Sequence, residues 1–188
     1  MKSRLNFDDG FSMTEVLVSI FILASGVLGM VGLQAAATRT TQQSAYQTTA
    51  LQLAADVADT VHAMSSDEGH AHFAEPILDV DYTFTPGDAP TAAAPCHFAS
   101  CSTTEFAEAE LSQWKARLAA GFPAARIRIC RDDTSREEAE LGYSWDCSGE
   151  PGAPRVVKVG WKIKNPDGRY VDEGALFPPA VVVPVAPT

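Results

Sequence analysis

Two groups of residues in this chain have the types and spacing to do chemistry. The first is a single carboxylate, Glu15, inside an apolar run over residues 11–33 that contains no lysine, arginine or proline. An ionised acid there costs on the order of 3 kcal/mol on insertion scales, so it calls for a cationic partner. The second is a set of four cysteines, Cys96, Cys101, Cys130 and Cys147, all downstream of that run. An even set confined to one part of a chain reads as two disulfides formed in an oxidising compartment. Three connectivities are open to four cysteines. The local pairs Cys96–Cys101 and Cys130–Cys147 are expected, because each brackets a turn or a hairpin. Zinc is the rival reading, and neither pair has the spacing usual for structural zinc ligands on both sides.

The elements that must position these groups follow from periodicity. About 23 helical residues span roughly 34 Å, enough to cross a bilayer core of about 30 Å. The helix is expected to continue beyond the span, because Tyr46, Ala50, Leu53, Ala54, Val57, Ala58, Val61 and Met64 recur at steps of three and four. Residues 65–69, with two serines, two acids and a glycine, supply its stop. Small residues (Ser25, Gly26, Gly29, Gly32, Ala36) suit close packing against other helices. Residues 78–84 alternate as a strand. A second helix is expected from Ser102, with Glu105 completing a capping box and Phe106, Leu111, Trp114 and Leu118 forming its apolar stripe. Strands are expected at residues 126–130, 157–164 and 169–172, the last two joined by a turn over 165–168. Residues 177–185 read as an edge strand or a loose end.

Composition narrows the function. The 188 residues suit one small domain beyond the membrane helix, and the formal net charge of −10 disfavours nucleic acid. Lys2 and Arg4 favour a cytoplasmic N-terminus, which places everything after the span outside the cytoplasm. His70 and His72 beside Asp67 and Glu68 could bind a metal, but a solvated loop is the simpler reading. Asp132, Asp133, Glu137, Glu138 and Glu140 lack the regular spacing of a calcium loop. No Gly-x-Ser-x-Gly elbow, phosphate-binding glycine loop or His-Glu-x-x-His motif is present, so no catalytic residue, metal or cofactor is expected.

Lys2 and Arg4, then Gly10, Phe11 and Glu15 ahead of a long apolar helix, resemble the processing site of type IV prepilins. The resemblance implies that a prepilin peptidase cuts after Gly10 and methylates Phe11. The new α-amino group, on this chain or a neighbour, would lie four residues from Glu15 and could neutralise it as an assembly contact. The cysteine pair ahead of a short helix with a central tryptophan also resembles the PilV family of minor pilins. The fold class implied is a pilin-like α+β chain: a long N-terminal helix on a small antiparallel sheet with one extra short helix. The domains implied are a leader at 1–10, the helix at 11–64, membrane-spanning over about 11–33, and a disulfide-containing periplasmic head at 65–188. The function implied is a minor pilin of a tip or priming complex that promotes pilus assembly and influences adhesion. Its partners would be other minor pilins, the major pilin, the inner membrane and a tip adhesin. It would sit in the inner membrane before assembly and in the pilus afterwards.

Competing readings are weaker on stated grounds. A secretory signal peptide cleaved near Ala35, Ala36 and Ala37 has a shorter apolar core and no acid within it. A pseudopilin of type II secretion shares the processing site. A membrane-tethered periplasmic binding module would leave Glu15 incidental.

Overall fold

The computed structural model describes residues 12–65, 75–88, 90–91, 96, 100–134, 142–163 and 177–186. The element order is α1 (Met13–Ser65), α2 (Glu75–Leu78), β1 (Val80–Phe84), α3 (Thr103–Gly121), β2 (Ala125–Arg131), β3 (Arg155–Trp161) and β4 (Val181–Pro184). The chain divides into two compact units, Met1–Gln42 and Gln43–Thr188. In the first unit the described residues are helical from Met13 onward, and their large apolar side chains are exposed.

The second unit is an α+β layer structure. Its sheet has the order β1-β2-β3-β4 with every pair antiparallel. Strand alternation separates two faces. One face carries Val80, Tyr82 and Phe84 of β1, Ala125, Ile127 and Ile129 of β2, and Val157, Val159 and Trp161 of β3. Against it lie Ala50, Leu53, Ala54, Val57, Ala58 and Val61 of α1, all buried, with Tyr46 and Met64 partly buried at the ends of that stripe. Thus the second half of α1 is part of this unit's core, and the compact unit begins at Gln43 rather than at the helix end.

The third helix begins as its sequence requires. The Ser102 side chain accepts from the Glu105 N–H at 3.3 Å, and the Ser102 N–H donates to the Glu105 carboxylate at 2.8 Å. These bonds hold the Glu105 carboxyl below its ordinary range, with the Ser102 backbone as the main cause. The buried stripe, however, runs through Ala107, Trp114 and Leu118, with Leu111 partly buried, while Phe106 is 40% exposed. Phe106 precedes the stripe by one position, which rotates it about 100° off the core direction. At the other end the Phe122 N–H closes on the Leu118 carbonyl, and Pro123 follows. Gly121 faces Thr49 of α1, where a Cβ would stand at ordinary van der Waals contact, 3.4 Å from the threonine methyl.

Two boundaries differ from expectation. Residues 75–78 form a one-turn helix, so there are two extra helices among the described residues rather than one, and β1 starts at Val80. Pro76 sits in that turn, where its missing N–H has no intrahelical partner to lose, and Ile77 is fully buried. The third strand covers 155–161 rather than 157–164. The turn at 165–168, the strand at 169–172, the loop histidines His70 and His72, and the acids Glu137, Glu138 and Glu140 lie outside the described residues.

The second face of the sheet is covered by irregular chain. Trp145 and residues 177–178 press against Gly160, whose hypothetical Cβ would stand 2.6 Å from the Pro178 carbonyl and 2.9 Å from the Trp145 ring. The Trp145 indole N–H donates to the Phe177 carbonyl at 2.5 Å, and the Ala180 N–H donates to the Val159 carbonyl at 2.9 Å. Gly160→Ala should therefore lower unfolding free energy by about 1–3 kcal/mol in denaturant titrations of the full chain in detergent. Gly152→Ala, where a Cβ meets nothing within 4 Å, should be near neutral. Equal stability of both variants would refute the close contact.

Candidate functional site

The start of α1 is built from backbone and hydroxyl hydrogen bonds. The Ser12 carbonyl accepts from the N–H groups of Glu15 and Val16 at 3.0 and 3.3 Å. Ser19 and Ser25 turn their hydroxyls back onto the carbonyls of Glu15 and Ile22, at 2.7 and 2.9 Å. Such bonding lets a polar side chain sit on an apolar helix without an unmet donor. Phe21, Leu23, Leu28 and Leu33 are each more than 70% exposed, and they point in different directions around the helix. The segment is long and apolar enough to cross a membrane, and it is not buried within the chain. A helix that is apolar on all sides needs lipid or other helices around it.

Glu15 stands in the first turn of that helix and is exposed. Among the described residues no group pairs with its carboxylate, and it is the one charged side chain from residue 12 to residue 38. Chemically, such an acid can bind a cation brought to it, an amine above all. Gly10 and Phe11 lie outside the described residues.

The cysteines build a different kind of site. Cys96 is bonded to Cys101, five residues on and directly before the Ser102 cap of α3. Cys130, buried near the end of β2, is bonded to Cys147 across 17 residues, with Cα atoms 6.3 Å apart. That second bond fixes the connection between β2 and β3 onto the outer face of the sheet. Around it the face is polar and closely paired. Arg126 makes a two-bond contact with Asp81, at 2.8 and 2.7 Å, while its guanidinium lies 4.6 Å from the centre of the Trp145 ring. Arg128 donates to Asp81 at 3.0 Å and to the Cys147 sulfur at 3.0 Å. The hydrogen bonds from Arg126 hold the Asp81 carboxyl below its ordinary range against partial burial, and the charges of Arg126 and Arg128 act in the same direction.

Beneath this layer lies a fully buried ion pair. Lys158 Nζ is 2.5 Å from Asp132 Oδ2, and both side chains are 0% exposed. No aligned hydrogen bond reaches Oδ2, which is held by charge. Burial pushes the Asp132 carboxyl up, but the contact with Lys158 and the bonds from Thr134 outweigh it and hold the group below its ordinary range.

The pairing of this face was missed by periodicity. Alternation puts Arg126, Arg128 and Lys158 opposite the core, a position that reads as solvent-facing. The available signal was a lysine flanked by Val156, Val157 and Val159 within one strand, with an aspartate closing the preceding one.

No protein-family model, curated protein or solved structure matches this chain.

Two outcomes follow for this face. Asp81 and Asp132 both have depressed carboxyls, so their stabilisation is present above the ordinary value near 3.8 and is lost as pH falls through the lower folded values. Asp132→Asn should thus lie well below wild type in stability at neutral pH, with the gap closing below about pH 4 in denaturant titrations. A constant gap would refute the assignment. Replacing Cys130 and Cys147 together by serine should cost about 2–4 kcal/mol, and exported wild-type protein should show no free thiol by mass-tagging.

Proposed function

We propose that this chain is a minor pilin of the type IV pilus, most like the PilV family. It would be processed after Gly10, methylated at Phe11 and held in the inner membrane with a periplasmic head until assembly. The observation that carries this reading is Glu15: an acid four residues after Phe11, on a helix apolar on every side and without a partner among the described residues. Processing after Gly10 supplies the missing cation as an α-amino group, and an incoming subunit gains by placing Glu15 beside the amine of one already in place. The α+β architecture of the second unit and its two disulfides are compatible with an exported pilin head.

Such a subunit works by unlike contacts. It joins other minor pilins in a tip or priming complex, engages the major pilin, and influences how many pili form and how they adhere. A subunit at the very tip has no neighbour above and no use for this acid, so Glu15 supports a position beneath at least one other subunit. Deleting its gene should reduce or alter pili without removing the main filament protein.

Intact mass of the membrane-extracted chain and recovery of partner pilins test the reading together. Wild type should begin at a methylated Phe11 and retain the apolar helix. Glu15→Ala should still insert and be cleaved, but should recover partners about tenfold less at matched membrane levels, and Glu15→Lys less again, because it opposes the neighbouring amine. A mature N-terminus near Thr38, or equal recovery from all three proteins, would overturn the proposal. Co-purification with secretion-system subunits instead of pilus subunits would move the chain to the pseudopilins.

A further inference from the structure

Three oxygens converge on the buried lysine. Lys158 Nζ has three within 2.8 Å: Asp132 Oδ2 at 2.5 Å, the Ser144 carbonyl at 2.8 Å and the Asp146 carbonyl at 2.5 Å. The two carbonyls come from alternate residues of one tight turn, in which the Asp146 N–H donates to the Ser144 hydroxyl at 3.0 Å. The Asp132 carboxylate is itself fixed, since its Oδ1 accepts from the Thr134 N–H and hydroxyl, both at 2.9 Å, and from the Ser148 N–H at 3.4 Å. One carboxylate and two carbonyls, held by their own hydrogen bonds and shut from water, make a site for a hard cation. An ammonium meets it with donors for the two carbonyls and a positive charge for the carboxylate.

We infer that the Lys158 ammonium fills a cation cage and takes the role a calcium ion would otherwise have, so that Asp132 and the turn at Ser144–Asp146 are held over β3 without metal. The lysine reaches the cage from β3, the disulfide Cys130–Cys147 brings the turn from the other side, and Asp132 closes it from the end of β2. The chain thereby carries its own counter-ion, independent of the calcium level outside the cytoplasm. Among the described residues Asp132 is the one carboxylate at the cage, and the monovalent ammonium balances its charge, where a divalent ion would leave an excess. This inference does not rest on the pilus reading.

Thermal unfolding of the full chain in detergent, with calcium chloride or a chelator, tests it. Wild type should melt at the same temperature in both. Lys158→Ala empties the cage and should melt several degrees lower in chelator, then recover part of that loss in calcium. Magnesium should do less, because it demands a stricter octahedral geometry. Lys158→Met, which keeps the stem in place and blocks entry, should be destabilised without recovery. Adding Asp132→Asn to Lys158→Ala should abolish the calcium response. A calcium-dependent melting temperature in wild type would overturn the inference, as would a Lys158→Ala chain indifferent to calcium, or an undiminished response in the double variant. If Lys158→Ala fails to fold in chelator, refolding in calcium supports the cage and failure there refutes it.

Discussion

The contact on which the second unit depends is the ion pair between Lys158 and Asp132, both fully buried. Two charges withdrawn from water cost several kcal/mol each unless the geometry satisfies them, and removing one partner typically costs about 3–5 kcal/mol. Here the satisfaction is extensive. Every oxygen near Nζ belongs to the connection between β2 and β3, and the acid is pinned by Thr134 and Ser148. The pair therefore couples an irregular segment to the middle of a strand. Without that segment above it, the same lysine would face solvent.

The rest of the outer face is built around that coupling. Cys147 is tied to Cys130, two residues before Asp132, so the covalent bond and the ion pair act on the same stretch. Trp145 lies between Ser144 and Asp146, whose carbonyls hold the lysine, and it projects over Arg126 and Gly160. Residues 177–178 then cover Trp145 and Gly160 and lead into β4, the edge strand. Charged and aromatic side chains thus bury the face that strand alternation would leave to solvent. The opposite face is conventional, with apolar side chains of the sheet packed against α1 and α3.

The two ends of α1 meet different surroundings for a reason visible in composition. Before residue 34 the helix is apolar on all sides, and its described side chains are exposed. From Ala50 to Val61 it is apolar along one stripe, and that stripe fills the core. One continuous element therefore serves two solvents. Glu15 is the one charged side chain between residues 12 and 38 of that helix.

By itself the sequence determined the elements whose signals are local. The stripe from Tyr46 to Met64, the capping box at Ser102 and Glu105, the alternation of β2 and the span before residue 34 each follow from period, cap or length, which need no distant partner. The tertiary structure decided what depends on pairing across the chain. It put Phe106 outside the core and Ala107 inside, because α3 could present only one side to α1 and the sheet. It turned Lys158 from an apparent surface charge into a buried one, because the segment above it brings its own acceptors, and it paired Arg126 and Arg128 with Asp81 of the neighbouring β1. Pattern records which way a side chain points along its strand. What waits there to meet it is set by chain that lies 10 to 50 residues away, and only folding brings that into place.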